Sequence, residues 1–287
     1  MGGGSDLEIA VSGAIKYATR PLKLINMLPS TMSTVVDTVK RARSGLTMAA
    51  PFAAPKTRFN AKVTGHRNVA FAQLDLEDIK TVKNHFGVKV NDVVMALVSG
   101  VLRRFLLDRD ELPESTLVAM VPVSVHDKSD RPGRNQVSGM FSSLGTNIED
   151  PAERLKTIAD ANSVAKQHSA AIGATLLQDW SQFAAPAVFG IAMRVYARSS
   201  LTTLPVHNLV VSNVPGPQVP LFFLGAQVKA MYPLGPIFHG SGLNITVMSL
   251  SGTLDVGLIS CPELLPDLWD MADDFAVALE ELLAATR

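Results

Sequence analysis

The feature that most constrains this chain is the run Val210-Val211-Ser212-Asn213-Val214-Pro215-Gly216-Pro217. A β-branched stretch reads as a strand, and here it stops at two prolines that flank a glycine. Pro215 and Pro217 fix φ and remove two backbone donors, while Gly216 permits a tight bend. A strand therefore ends in a rigid turn that presents Ser212 and Asn213. Between residues 199 and 254 the only charged side chain is Lys229. A folded chain sustains such a stretch where it is buried or lines an apolar site.

Composition narrows the function classes. Of 287 residues 47% are hydrophobic, enough for a sizeable core in one large domain or two small ones. The 26 basic and 26 acidic residues cancel, which argues against electrostatic steering of nucleic acid. The lone Cys261 excludes an internal disulfide and a thiolate metal framework, and fits a reducing cytoplasm. No P-loop, dinucleotide fingerprint or Gly-x-Ser-x-Gly elbow is present, so no bound cofactor or metal is expected. Residues 1–5 carry no basic or apolar signal region and read as a flexible leader or engineered linker. The best membrane candidate, 180–193, is interrupted by Pro186 and is too short for the roughly 20 residues of a span.

Periodicity then places the elements. Residues 68–76 read as a strand, after which Asp75 caps a helix through Asn84 that ends at Gly87. A second helix is expected from Asn91 to Leu107, so apolar all round that it must be buried. Strands follow over 117–125 and 137–147, with a charged loop between them. Asp150 and Pro151 open a helix to residue 171, and 172–197 reads as a helical region bent near Pro186. Further strands are expected over 208–213, 227–232, 243–249 and 254–260, the last two joined at Ser251-Gly252. An amphipathic helix over 266–285 closes the chain. Residues 6–55 read as amphipathic helices and a Pro/Ala linker, either a crossover packed on the domain or a stretch lying on a membrane surface. Residues 56–287 form the main domain. Strands and helices without regular βα alternation predict a mixed α/β fold, a mixed β-sheet covered by helices.

Two motifs carry a resemblance. Ser212-Asn213-Val214-Pro215-Gly216-Pro217 resembles a signature of the bacterial wax ester synthase/diacylglycerol acyltransferase family, and Asn91-Asp92-Val93-Val94-Met95-Ala96 resembles that family's Asn-Asp motif. Their spacing and the order of elements over 58–283 also fit. The resemblance implies one half of a chloramphenicol-acetyltransferase-like fold, in which two pseudo-symmetric halves enclose a tunnel. It implies acyl-CoA as donor and diacylglycerol or a long-chain fatty alcohol as acceptor, giving triacylglycerol or wax ester. It further implies contact with an N-terminal acyltransferase half and peripheral contact with the inner membrane or lipid droplets. Such enzymes carry a His-His-x-x-x-Asp-Gly motif in that half. None of His66, His85, His126, His168, His207 and His239 stands in that pattern. The general base is therefore expected outside this sequence, and the chain alone is expected to be inactive. The competing reading is a non-catalytic lipid-binding or interaction module that kept the fold.

Acyl transfer to a hydroxyl needs a base, oxyanion donors and a dry site. Asn91 and Asp92 read either as a helix cap with a dipole-complementing acid or as active-site groups; the resemblance implies that activity requires the pair. Ser212 and Asn213 either hydrogen-bond their own turn, formed by Pro215, Gly216 and Pro217, or point into a tunnel. Asn244 and Thr246 share one face of a late strand and Ser249 takes the other; all three are tunnel or oxyanion candidates. Lys128, Arg131 and Arg134 belong either to a solvated loop or to a site for the CoA phosphates. His239, a lone loop histidine, reads as structural or solvated. The low-charge region is expected to line the tunnel, with Val214 and Ile245 among its walls.

Overall fold

The computed structural model describes residues 54–124, 137–169 and 205–287. Among these, six strands form one mixed sheet: β1 (Asn68–Asp75), β2 (Val118–Ser124), β3 (Val137–Ser143), β4 (Leu209–Pro215), β7 (Asn244–Leu250) and β8 (Thr253–Ser260). A separate two-stranded hairpin pairs β5 (Phe222–Phe223) with β6 (Ala226–Gln227). The sheet order is β1-β8-β7-β4-β2-β3. β4 runs parallel to both β7 and β2, and the remaining pairs are antiparallel. The mixed α/β architecture expected from the sequence is the one found.

Four described helices accompany the sheet: α1 (Leu76–Phe86), α2 (Val90–Leu107), α3 (Pro151–Ser169) and α4 (Leu268–Ala284). α1 has the ends its sequence requires. Asp75 accepts a hydrogen bond from the Glu77 amide at 2.7 Å, and Gly87 closes the helix at φ 66°. Asp150 caps α3 in the same way, accepting from the Glu153 amide at 2.7 Å. α2 is buried along most of its length, as its all-round apolar sequence demands. Gly100 lets it approach α4, since a Cβ there would lie 3.2 Å from that of Ala278.

The helices cover one face of the sheet. That face supplies Ala70, Leu74, Leu209, Val211, Ile245, Val247, Leu254, Val256 and Leu258 to the core, which continues into Val94, Leu97, Val101, Phe105, Phe275 and Leu279 of the helices. The strands alternate, so Val210, Ser212, Asn244, Thr246, Asp255 and Gly257 face the other way. An extended segment crosses this second face. The buried Asp255 carboxylate accepts from the Met231 amide at 2.7 Å, and also from Gln73 and Thr253. A Cβ at Gly257 or Gly235 would collide with the Pro233 carbonyl or the Asn244 side chain, so the segment rests where side chains are missing.

Two expectations change. Of the strand expected over 227–232 only Gln227 is paired, in β6; the Val228 amide bonds back to the Leu221 carbonyl, and residues 229–236 cross the sheet without joining a ladder. Helix α2 begins at Val90 rather than Asn91, because Lys89 is its N-cap and Asp92, at the third helical position, bonds back to the Lys89 amide. Residues 1–53, 125–136 and 170–204 lie outside the described residues, and with them the expected N-terminal helices, the bent helical region and Lys128, Arg131 and Arg134.

Candidate functional site

The two motifs meet. β4 runs toward the start of α2, and Asn213, near the strand's C-terminal end, faces the helices. Its Nδ2 donates to Asn91 Oδ1 at 3.4 Å, across 122 residues of sequence. Each amide group keeps at least one further N–H, so the pair presents several donors at one point.

Asp92 is fixed more tightly. It is 6% exposed, and its Oδ2 accepts from the Lys89 amide at 3.0 Å. Its Oδ1 accepts from Asn162 Nδ2 of α3 at 3.0 Å, and Asn162 Oδ1 accepts in turn from the Ser142 hydroxyl of β3 at 2.7 Å. The carboxylate is buried with its charge held by donors and by the N-terminus of an 18-residue helix. Asp92 thus serves as the cap partner, and Asn91 is left free to face Asn213.

Two cavities flank the Asn91–Asn213 contact. One, of about 220 Å³, is lined by Asn91, Asp92, Asn162, Lys89 and the apolar Val121, Val123 and Met140. The other, of about 470 Å³, is lined by Asn213, Pro215, Gly216, Ser249, Val90 and Leu254 among others. Ser249 braces the turn: its hydroxyl accepts from the Gly216 amide at 3.3 Å and from Gln218 Nε2 at 3.2 Å. Gly216 must be glycine, since a Cβ there would overlap the Ser249 carbonyl oxygen. Pro215 and Pro217 flank this close approach.

The other candidates lie elsewhere. Ser212 adjoins Asn213 in sequence but faces the opposite side of the sheet, in register with Thr246. Thr246 donates to Asn244 Oδ1 at 2.8 Å, and Asn244 Nδ2 donates to the Pro236 carbonyl at 3.3 Å. Both are buried and support the crossing segment; they do not line the cavities beside Asn91 and Asn213. Ile245 is fully buried in the helix-side core, and Val214 is 37% exposed. Neither lines those cavities. Asn162 and Ser142 carry no local sequence signal; they stand out only as buried polar side chains beside Asp92.

No nearby base emerges from His207 or His239. His207 precedes β4 by two residues, so about 20 Å of strand separates it from Asn213. Burial pushes its imidazole below the ordinary value, and its ring lies against Phe141. His239 sits at that same far end, lining a groove with Thr64, Arg67 and Phe238. Among the described residues, no helix is long and apolar enough to cross a membrane.

The family models divide where the site does. The wax ester synthase/diacylglycerol acyltransferase catalytic domain matches residues 1–94, and the C-terminal domain of the same family matches 134–283. The chain belongs to the wax ester synthase/diacylglycerol acyltransferase family. Asn91 therefore lies in the stretch matching the catalytic domain and Asn213 in the stretch matching the C-terminal domain. So the chain includes a stretch matching the catalytic domain, although the His-His-x-x-x-Asp-Gly motif is not among its residues. A Mycobacterium tuberculosis protein named as a diacylglycerol O-acyltransferase is 57% identical over 282 residues, which are 98% of this chain and 56% of that protein. The wax ester synthase/diacylglycerol acyltransferase of Marinobacter aquaeolei VT8 superposes with a TM-score of 0.67 at 30% identity, over 90% of this chain and 56% of that one. A nonribosomal peptide synthetase reaches a TM-score of 0.50 at 14% identity over 88% of this chain and 26% of its own, a likeness of fold alone. The chain spans just over half the length of these family relatives.

Proposed function

We propose that this chain supplies one side of the active site of an acyl-CoA-dependent O-acyltransferase, with diacylglycerol or a long-chain alcohol as acceptor. The observation that carries the reading is the Asn91–Asn213 hydrogen bond, which joins the two family motifs between two partly apolar cavities. In the reaction the acceptor oxygen attacks the thioester carbonyl carbon. Its proton passes to a base, negative charge builds on the carbonyl oxygen, and the C–S bond then breaks to release CoA. The remaining amide N–H groups of Asn91 and Asn213 are suited to receive the oxyanion, a role worth about 3–4 kcal/mol per donor. The apolar walls keep water from the thioester. The base belongs to the His-His-x-x-x-Asp-Gly motif, carried on a segment outside these 287 residues.

The surface is consistent with a partner half. Val219, Phe222, Phe223 and Leu224 are each at least 60% exposed on or beside the β5–β6 hairpin. Leu224 and Gly225 both have positive φ, 50° and 85°, as in the tight turn that ordinarily takes Asn or Gly first. A leucine at that strained, exposed tip suits a hairpin whose apolar side is covered in the assembled enzyme. The lipid acceptors are drawn from a membrane or droplet surface, which fits peripheral rather than spanning contact.

The test measures CoA release from palmitoyl-CoA with diacylglycerol or hexadecanol. The chain alone is expected to be inactive, and the chain joined to the histidine-motif segment active. An assembled protein that binds acyl-CoA without turnover supports the non-catalytic lipid-binding module instead.

A further inference from the structure

We propose that Asn162 is a positioning residue for the acyl-transfer site, acting through Asp92 on Asn91. This inference rests on the functional reading above. Asp92 is a buried carboxylate and can only accept, so Asn162 must turn its Nδ2 toward it. That leaves Asn162 Oδ1 facing the Ser142 hydroxyl, which donates. The direction of every bond in the chain Ser142–Asn162–Asp92–Lys89 is thus set by one charge. The three side chains are 2%, 7% and 6% exposed, for Ser142, Asn162 and Asp92 in that order, so water cannot easily replace a lost partner.

The network joins three elements at the point where α2 begins. β3 contributes Ser142, α3 contributes Asn162, and Asp92 fixes the Lys89 amide. Asn91 is held between two anchored residues of that first turn. Its hydrogen bond to Asn213 is long, at 3.4 Å, and no other hydrogen bond of its side chain ties it down among the described residues. A small rotation of the first turn would therefore break it. Asn162 also walls the 220 Å³ cavity, but its carbonyl oxygen and one amide hydrogen are committed to protein partners. Its effect on chemistry runs through Asp92 rather than through substrate.

The experiment uses the complete enzyme, with the histidine-motif segment present, and compares wild type, Asn162→Leu, Asp92→Asn and the double variant. Asn162→Leu is expected to lower kcat on the order of 100-fold, the scale of a 1 Å misplacement, with KM for palmitoyl-CoA unchanged. In the Asp92→Asn background the same substitution is expected to cost nothing further, because the two residues act as one unit. Ser142→Ala, a milder cut in the same chain, is expected to lower kcat by less and again to spare KM; it serves where Asn162→Leu does not fold. Losses that multiply in the double variant, or a folded Asn162→Leu or Ser142→Ala enzyme with wild-type kcat, overturn the proposal. An active wild type with multiplying losses removes this inference alone; an inactive wild type removes the functional reading and the inference with it.

Discussion

Gly216→Ala separates close approach from backbone strain. A Cβ at Gly216 would overlap the Ser249 carbonyl oxygen and lie 3.0 Å from Met248 Cγ. The carbonyl belongs to a strand locked between β4 and β8, so the turn must recede instead. Overpacking of this kind costs about 1–3 kcal/mol. Moving the turn by about 1 Å also shifts Asn213, three residues upstream, and such a displacement can cost on the order of 100-fold in rate. Gly252→Ala is the control. Gly252 sits at φ 98° in the hairpin turn with no atom within 4 Å of its would-be Cβ, so alanine there brings strain and no collision. That strain is worth about 1–2 kcal/mol. Urea unfolding and CoA-release assays on the complete enzyme should show both variants destabilised and only Gly216→Ala slowed. Equal activity in the two variants would refute the argument that the Pro-Gly-Pro turn positions Asn213 by resting on β7.

Other outcomes follow from burial and placement. Ile245→Lys puts an unpaired charge in a fully buried core position and should abolish cooperative unfolding, whereas Val214→Lys, at the exposed end of β4, should leave the melting temperature nearly unchanged. His207 is held below its ordinary value of 6.5 by burial, so the folded state binds fewer protons than the unfolded state below that pH. Stability is therefore full above pH 6.5 and falls as pH drops below it, by at most about 1.4 kcal/mol per pH unit for one proton. His207→Phe should flatten urea midpoints measured between pH 7.5 and 5; an unchanged slope contradicts the assignment. Leu224→Asn relieves the strained turn and should reduce self-association of the isolated chain in sedimentation, while weakening its assembly with the histidine-motif segment. Unaltered association in both measurements removes the hairpin from the interface.

Local rules made much of the fold legible. Asp75 and Gly87 mark the ends of α1, Asp150 caps α3, and Ser251-Gly252 turns β7 into β8, because each depends on neighbours in sequence. The motif pair was legible as two separate signals, but nothing local shows that Asn91 meets Asn213 or that Ser212 turns away from it. Asn244 and Thr246 read as tunnel or oxyanion candidates on an apolar strand. Their partners lie in a segment that crosses the sheet over Gly257, which no periodicity announces. Asp92 hid the true helix start by acting from the third helical position. Asn162 looks like any solvated residue of a helix, since its role depends on partners 20 and 70 positions away.

Under the proposed function, Asn91 and Asn213 act together at the reacting carbonyl. The most direct measurement is single-turnover acyl transfer by the complete enzyme carrying Asn91→Ala, Asn213→Ala or both. Each single variant is expected to lose about 100- to 1,000-fold in rate, and the double variant to be little worse than the slower single one. A single variant that folds, binds palmitoyl-CoA and transfers at the wild-type rate would contradict it.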